Sequence, residues 1–386
     1  MADLDRGVPL PDAPDPWVGS SMPDLRDGPP YAMTEMIAAE PELAARLVRR
    51  LHDDPSLPRL VDAIRTAASR GAPILTTGCG TSEHAAMVAA ALLTDALAGP
   101  SVWSIQALEL ARRPPEGGVV VAISHEGGTW ATNEALRAAH SAGARTGLIT
   151  VSDRSPGAAL ADLLLTTGEQ DQSWCHTVGY LSPVVTAAVI AAELRSARLD
   201  PVATRALLEI ANAVEAAESI ARLMGGCSRL LVVGSGIDYP AARELALKIE
   251  EGARLPASAL QLETIRHGHL AAADDQAGLI LVLTDAEGWG ETIIERSRAV
   301  LRSAEALGMP AAAIVAADLG DDLPIALTPA GRLTVPLAAR LARIASAAIG
   351  SAIPLQQLAE RLARARGVNP DTIGREDARQ AVAAEA

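Results

Sequence analysis

The sequence predicts an α/β protein made of two tandem three-layer αβα domains, each a parallel sheet flanked by helices. Two observations predict it. The first is alternation. An apolar strand, APILTTG (72–78), runs into the loop CGTSEH and an Ala-rich helix. A second, GVVVAIS (118–124), runs into HEGGTWAT and a helix to about His140, and a third strand, ARTGLITV, follows. Short, nearly unbroken apolar runs of this kind suit parallel strands covered on both faces. The second observation is repetition. SRLLVVGSGIDYPAARELALKI matches APILTTGCGTSEHAAMVAAALL, with a G-x-G at the same point. AGLILVLTDAEGWGETIIERSRAVLRSAEALGMPAAAIVA likewise matches GGVVVAISHEGGTWATNEALRAAHSAGARTGLITVS. The period is about 155 residues, too long for a solenoid repeat.

The remaining elements follow in chain order. Residues 1–30 hold seven prolines and several aspartates, which predicts an extended arm. Residues 31–198 form the first domain with leading helices, the one over 31–52 being interrupted near Pro41. Residues 199–350 form the second domain, entered through a helix over 202–224. Residues 351–386 are a C-terminal helix and a tail.

Composition narrows the function. Apolar residues make up 49% of the chain, but Phe is absent and Tyr occurs three times. Ala, Leu, Val and Ile must therefore fill the core. The net charge of −14 argues against nucleic acid or an anionic membrane as partner. The cysteines Cys79, Cys175 and Cys227 are odd in number and lack metal-ligand spacing, so a reduced, cytoplasmic compartment is expected. The N-terminal stretch has no apolar core of the signal-peptide kind, and no apolar run is long enough to span a membrane. His125, His176, His267 and His269 fit no zinc spacing. No metal or organic cofactor is expected.

One lysine, Lys248, stands against 32 arginines. Arginine cannot replace lysine where a compact ammonium is required. On a helix Glu244, Lys248 and Glu251 share one face. His267 and Gly268 follow within the same supersecondary unit. Two carboxylates, an amine and an imidazole suit proton transfer; the bland alternative is an ion pair that merely supports the helix. Loops after parallel strands are where ligands bind. Gly80, Thr81 and Ser82 lie in one such loop. Ser124, His125, Glu126 and Thr129 lie in another. Each opens a helix, whose free N–H groups suit an anion, although a G-x-G loop on its own often only turns a corner.

Together these segments resemble the tandem sugar isomerase (SIS) domain family, above all the isomerase half of glucosamine-6-phosphate synthase and related deaminases, isomerases and deglycases. GCGTS (78–82) looks like the family's first phosphate loop, and SHEGGT (124–129) like its second. EQDQSWCHTVGYLS (169–182), with Trp174 and His176, looks like the segment before the long helix. ELALKIEE (244–251) and RHG (266–268) look like the family's E-G-A-L-K-x-K-E and K-H-G elements. The resemblance implies Glu251 as the proton-transfer group and His267 as the ring-opening histidine, donated by the partner in a homodimer. Lys248 and Glu244 fall on the supporting residues. It also implies a small sugar or sugar phosphate as substrate and an enediol or enolamine path. A non-catalytic sugar sensor is the alternative.

The pattern departs from the family in three places. The sequence as it stands shows no glutaminase segment before the pair, so glutamine-dependent synthase activity is not expected of it alone, and the tail offers no lysine for an imine. Where most relatives carry a second serine, this chain has Glu126. Three readings stay open there. The side chain turns away or pairs with His125, the substrate carries no phosphate at that loop, or the site is degenerate. Trp130 and Trp174 beside the loops fit a reshaped pocket or ordinary core positions.

Overall fold

The computed structural model describes residue 26 and residues 28–385. The proposed arm, residues 1–30, falls largely outside them. The described chain forms two compact units. One comprises Ala39–Gln172 and Val178–Ala206. The other runs from Leu207 onward and includes Ser173–Thr177 and the segment ending at Ala38.

Helix α1 (Ala32–His52) opens the described chain. It runs straight through Pro41, against the expected interruption. Proline removes one helical hydrogen bond at a cost of about 3 kcal/mol. Met33, Met36, Ile37, Leu43, Leu47, Val48 and Leu51 are buried along the same helix, and each contributes about 1.5–3 kcal/mol, so burial wins.

In the first unit α2 (Ser56–Ser69) leads to β1 (Ile74–Thr77), α3 (Thr81–Leu97), β2 (Trp103–Ser104), α4 (Ala107–Arg112) and β3 (Val119–Ile123). Then come α5 (Trp130–Ser141), β4 (Arg145–Thr150), β5 (Leu163–Thr166), α6 (Val178–Leu194) and α7 (Pro201–Ile210). The strands are parallel, in the order β2-β1-β3-β4-β5. β1 and β3 are buried at every position, which is why they read as solid apolar runs. Ala85, Ala86, Ala89 and Ala90 of α3 are buried, as is α6 over nearly its whole length, and the two helices pack together. Small side chains let helices approach closely, and so a core without Phe can still be filled.

The second unit contains α8 (Val214–Met224), β6 (Arg229–Gly234), α9 (Asp238–Ala253), β7 (Ala257–Gln261), β8 (Ala277–Leu283), α10 (Glu291–Ala306) and β9 (Ala311–Ala316). It closes with β10 (Gly331–Val335), α11 (Arg343–Gly350), α12 (Ala352–Ala365) and α13 (Ala378–Glu385). Its sheet order is β10-β9-β8-β6-β7, all parallel. Read from the other edge this is β7-β6-β8-β9-β10, the order of the first sheet. The duplication seen in the sequence is therefore a duplication of topology.

Two further expectations need correction. The helix over 202–224 is two helices, α7 and α8. Asn212 and Ala213 break it, because Gln357 accepts from the Ala213 N–H (2.9 Å) and donates to the Asn212 amide oxygen (2.6 Å). The C-terminal tail is built structure. Asp371 is buried and caps the start of α1, accepting from the N–H groups of Ala32 and Met33 at 2.8 Å each. Side-chain capping satisfies two of the orphan donors of a helix N-terminus. Among the described residues no helix is long and apolar enough to cross a membrane.

Candidate active site

The first unit carries the two loops singled out by sequence. Gly78 passes so close to the start of α3 that a Cβ there would lie 2.5 Å from the Ser82 carbonyl oxygen. Gly80 has φ +56° and serves as N-cap, with no side chain to occupy the first amides of α3. Thr81 is buried and Ser82 half-buried beside it. After β3, Ser124 is buried, and its Oγ lies 3.4 Å from the exposed Thr129 hydroxyl at the N-cap of α5. Gly127 (φ +69°) lies against Ser155, where a Cβ would come within 2.6 Å.

The segment 169–172 closes on this loop. His125 Nε2 accepts from the Asp171 N–H at 3.0 Å, so the ring proton belongs on Nδ1. Gln170 donates its amide to Glu126 Oε1 at 3.1 Å. The Asp171 carboxylate accepts from the Gly179 N–H at 2.9 Å, within the first turn of α6. Trp130, the first residue of α5, is 67% exposed and is not a core residue.

In the second unit α9 carries the ion-pair cluster. Lys248 Nζ lies 2.6 Å from Glu251 Oε2 and 3.4 Å from Glu244 Oε1. The side chains of Lys248 and Glu244 are 0% exposed, and that of Glu251 is 23% exposed. Burial alone would lower the Lys248 ammonium; the carboxylates of Glu244 and Glu251 outweigh it and hold the group well above the ordinary lysine range. Gly252 lets neighbours approach this helix. A Cβ there would lie 3.3 Å from Cys175 Sγ and 3.4 Å from Pro370 Cβ. Cys175 Sγ in turn lies 3.8 Å from the Lys248 carbonyl oxygen.

His176 is half-buried. This burial first, and the Lys248 ammonium second, push it down to about 4. Glu244 opposes the shift and the Arg375 charge adds to it. Trp174 is half-buried and lies under Arg375, whose guanidinium carbon is 3.6 Å from the ring centroid. At the start of α9, Asp238 is buried and accepts from the Thr284 N–H (2.9 Å) and hydroxyl. Burial raises it to about 7 despite these bonds.

His267 stands elsewhere. It ends a 3₁₀ turn (Thr264–Arg266), its side chain is 72% exposed, and its Nε2 meets Glu263 Oε1 at 3.3 Å. His269 is also exposed. The structure thus gathers Glu244, Lys248 and Glu251 in one cluster, whose Lys248 and Glu244 charges act on His176, and leaves His267 on the surface.

Residues 69–192 match the family model described as SIS domain. The chain carries a SIS domain. Over 366 residues it is 28% identical to a protein named glutamine–fructose-6-phosphate aminotransferase (isomerizing) from Symbiobacterium thermophilum. The match covers 90% of this chain but only 58% of that relative. Among solved structures it resembles the C-terminal domain of glucosamine-fructose-6-phosphate aminotransferase from Francisella tularensis, with TM-score 0.73, 21% identity, and coverage of 90% of this chain and 99% of that one. It also resembles tagatose-6-phosphate ketose/aldose isomerase from Escherichia coli, with TM-score 0.68, 18% identity, and coverage of 92% and 98%. Both likenesses extend across the two sheets. The architecture is that of two tandem SIS-type αβα units.

Sequence reasoning missed three participants. Gln170 holds Glu126, Asp371 ties the C-terminal segment to α1, and Arg375 covers Trp174. All three lie in irregular segments with no periodic pattern to flag them. Arg375 was also one arginine among 32.

Proposed function

We propose that the chain is a sugar or amino-sugar isomerase, deaminase or deglycase that works through an enediol or enolamine. The observation that carries this reading is the Glu244–Lys248–Glu251 cluster. Of its two carboxylates only Glu251 reaches solvent. It is therefore the one available to take a proton from a sugar carbon and return it to the neighbouring carbon. The electron pair left by the proton forms the carbon–carbon double bond of the enediol, and the carbonyl oxygen accepts a second proton. Lys248 has no exposed surface, so it acts through Glu251 as a positioning residue that fixes the place of its carboxylate. Separately, the first unit's loops, with Ser82, Ser124 and Thr129, are proposed to bind polar groups of a sugar ligand.

His267 is the proposed acid–base group for ring opening. An exposed imidazole whose contact within the chain is Glu263 fits a residue that works in a partner subunit, so we propose a homodimer. The test is complementation. Glu251→Gln and His267→Ala should each lower turnover by about 10²-fold, as loss of a positioned acid–base group does. Mixing the two dimers and allowing subunits to exchange should restore roughly a quarter of wild-type activity, because half the dimers are mixed and each has one intact site. Either single variant keeping near wild-type kcat removes the mechanism. Absence of recovery in verified mixed dimers removes the shared site.

A further inference from the structure

We infer that Arg375, laid on the face of Trp174, is an oxyanion-binding site of the second unit, taking a carboxylate or phosphate group carried by the substrate. The inference rests on the proposed reading that this unit handles a sugar at Glu251.

The pair is held in place from both sides. The Trp174 N–H donates to the Asp371 carbonyl at 3.0 Å, and the Arg375 N–H donates to the Thr372 carbonyl at 3.0 Å. Stacking at 3.6 Å occupies one face of the guanidinium and leaves the Nη edge as the donors that a ligand can meet. Nε is buried and has no hydrogen-bond partner, and no ion pair is made by Arg375 among the described residues.

The neighbouring carboxylates are all committed elsewhere. Glu376 accepts from Arg254 at 3.2 Å and from the Thr372 hydroxyl. Asp371 accepts from the Ala32 and Met33 N–H groups. Asp377 accepts from the Arg379 N–H at 2.8 Å. A half-buried arginine with a carboxylate on either side in sequence and none of them paired to it is unusual, because a buried donor left unmade is costly. Trp174 adjoins Cys175, whose Sγ lies 3.8 Å from the Lys248 carbonyl oxygen, and the charges of Arg375, Lys248 and Glu244 all act on His176. The site therefore belongs to the surroundings of the proposed proton-transfer cluster.

The chemistry of the ligand follows from the donors. A guanidinium edge presents parallel N–H groups that match two oxygens of one carboxylate or phosphate, and a cation there is repelled. A neutral sugar hydroxyl meets at most part of the fork. The class of substrate is thus a sugar bearing an oxyanion, whether a sugar acid, an amino-acid conjugate or a phosphate.

The experiment is calorimetry on the full chain at low salt with glucuronate, inorganic phosphate and neutral glucose as probes. Glucuronate or phosphate should bind at least about tenfold more tightly than glucose, and whichever does so names the source of the oxyanion. Arg375→Gln should erase the difference, and Arg375→Lys should recover less than half of it. On the unmodified protein, the preferred anion should slow phenylglyoxal modification of Arg375, mapped by mass spectrometry, at least fivefold. That arm needs no variant to fold. Equal binding of anionic and neutral probes, unchanged binding in a folded Arg375→Gln, or modification at the same rate with and without anion would each overturn the inference. The readout is binding without turnover, so its failure leaves the role of Glu251 untouched.

Discussion

Replacing Lys248 with methionine keeps the length of the stem and removes the ammonium. The structure sets the size of the effect. Nζ is 2.6 Å from Glu251 and 3.4 Å from Glu244, with Lys248 and Glu244 wholly out of solvent. Glu251 can turn to water; Glu244 cannot. Removing one partner of a buried ion pair costs about 3–5 kcal/mol, because the other loses its counter-charge. For a unit of this size that is a loss of roughly 10 °C in melting temperature. Without the ammonium the buried Glu244 carboxylate is easier to protonate than in the unfolded chain. The lost stability should return as pH falls, so the gap between wild type and Lys248→Met narrows on acidification. The double change Lys248→Met, Glu244→Gln removes both wholly buried charges of the cluster and should recover more than half of the loss. Lys248→Arg keeps the charge but brings a larger, planar head into a site without spare surface, and should also destabilise. The assay is thermal and urea unfolding by circular dichroism at several pH values. A Lys248→Met protein within about 1 kcal/mol of wild type, or a double variant as unstable as the sum of the singles, would refute the reasoning.

Two other predictions concern pH and substrate class. His176 is held down to about 4, so its neutral form contributes stability above the ordinary histidine value that is lost as pH falls through about 4. Measured against His176→Gln, wild type should therefore gain roughly 3 kcal/mol between pH 4 and pH 6.5. Asp238 is raised to about 7, so its sign is opposite: against Asp238→Asn, wild type should lose stability as pH rises from 4 to 7. Flat differences in urea unfolding would contradict both. At the first unit's loop, Glu126 adds a negative charge and no donor, and Gln170 holds it in place. Hexose 6-phosphates should bind with Kd above about 1 mM, and Glu126→Ser should tighten them by removing the repulsion and supplying a hydroxyl. Micromolar calorimetric binding of fructose 6-phosphate that survives Arg375→Gln would sink this.

The parts of the fold legible in the sequence are those with strong local pattern. β1, β3, β4, β6 and β8 are buried on both faces and announce themselves as apolar runs. The duplicated G-x-G loops announce the repeat because glycine is required there: a Cβ at Gly78 or at Gly234 would lie 2.5 Å from the carbonyl oxygen of Ser82 or Asp238, at the start of the following helix. The edge strands were not legible. β2 is two residues long, and β7 mixes exposed and half-buried positions. The break between α7 and α8 depends on Gln357, far off in sequence. At the site, i, i+4 and i+7 spacing placed Glu244, Lys248 and Glu251 on one face of α9. It could not show which carboxylate stays in contact with solvent. The partners of Glu126, His125 and Trp174 come from residues 44, 46 and 201 positions away, and only tertiary structure brings such residues together.

The central claim is that Glu251 moves a proton between adjacent sugar carbons. The measurement that tests it most directly is solvent hydrogen exchange. Ligand released from the purified protein is identified by mass spectrometry, and the corresponding sugar is then incubated with the protein in deuterium oxide. The account predicts deuterium at one of the two reacting carbons with wild type, and incorporation slowed by about 10²-fold or more with Glu251→Gln. Equal deuterium incorporation by both proteins, or a Glu251→Gln protein that turns over as fast as wild type, would contradict it.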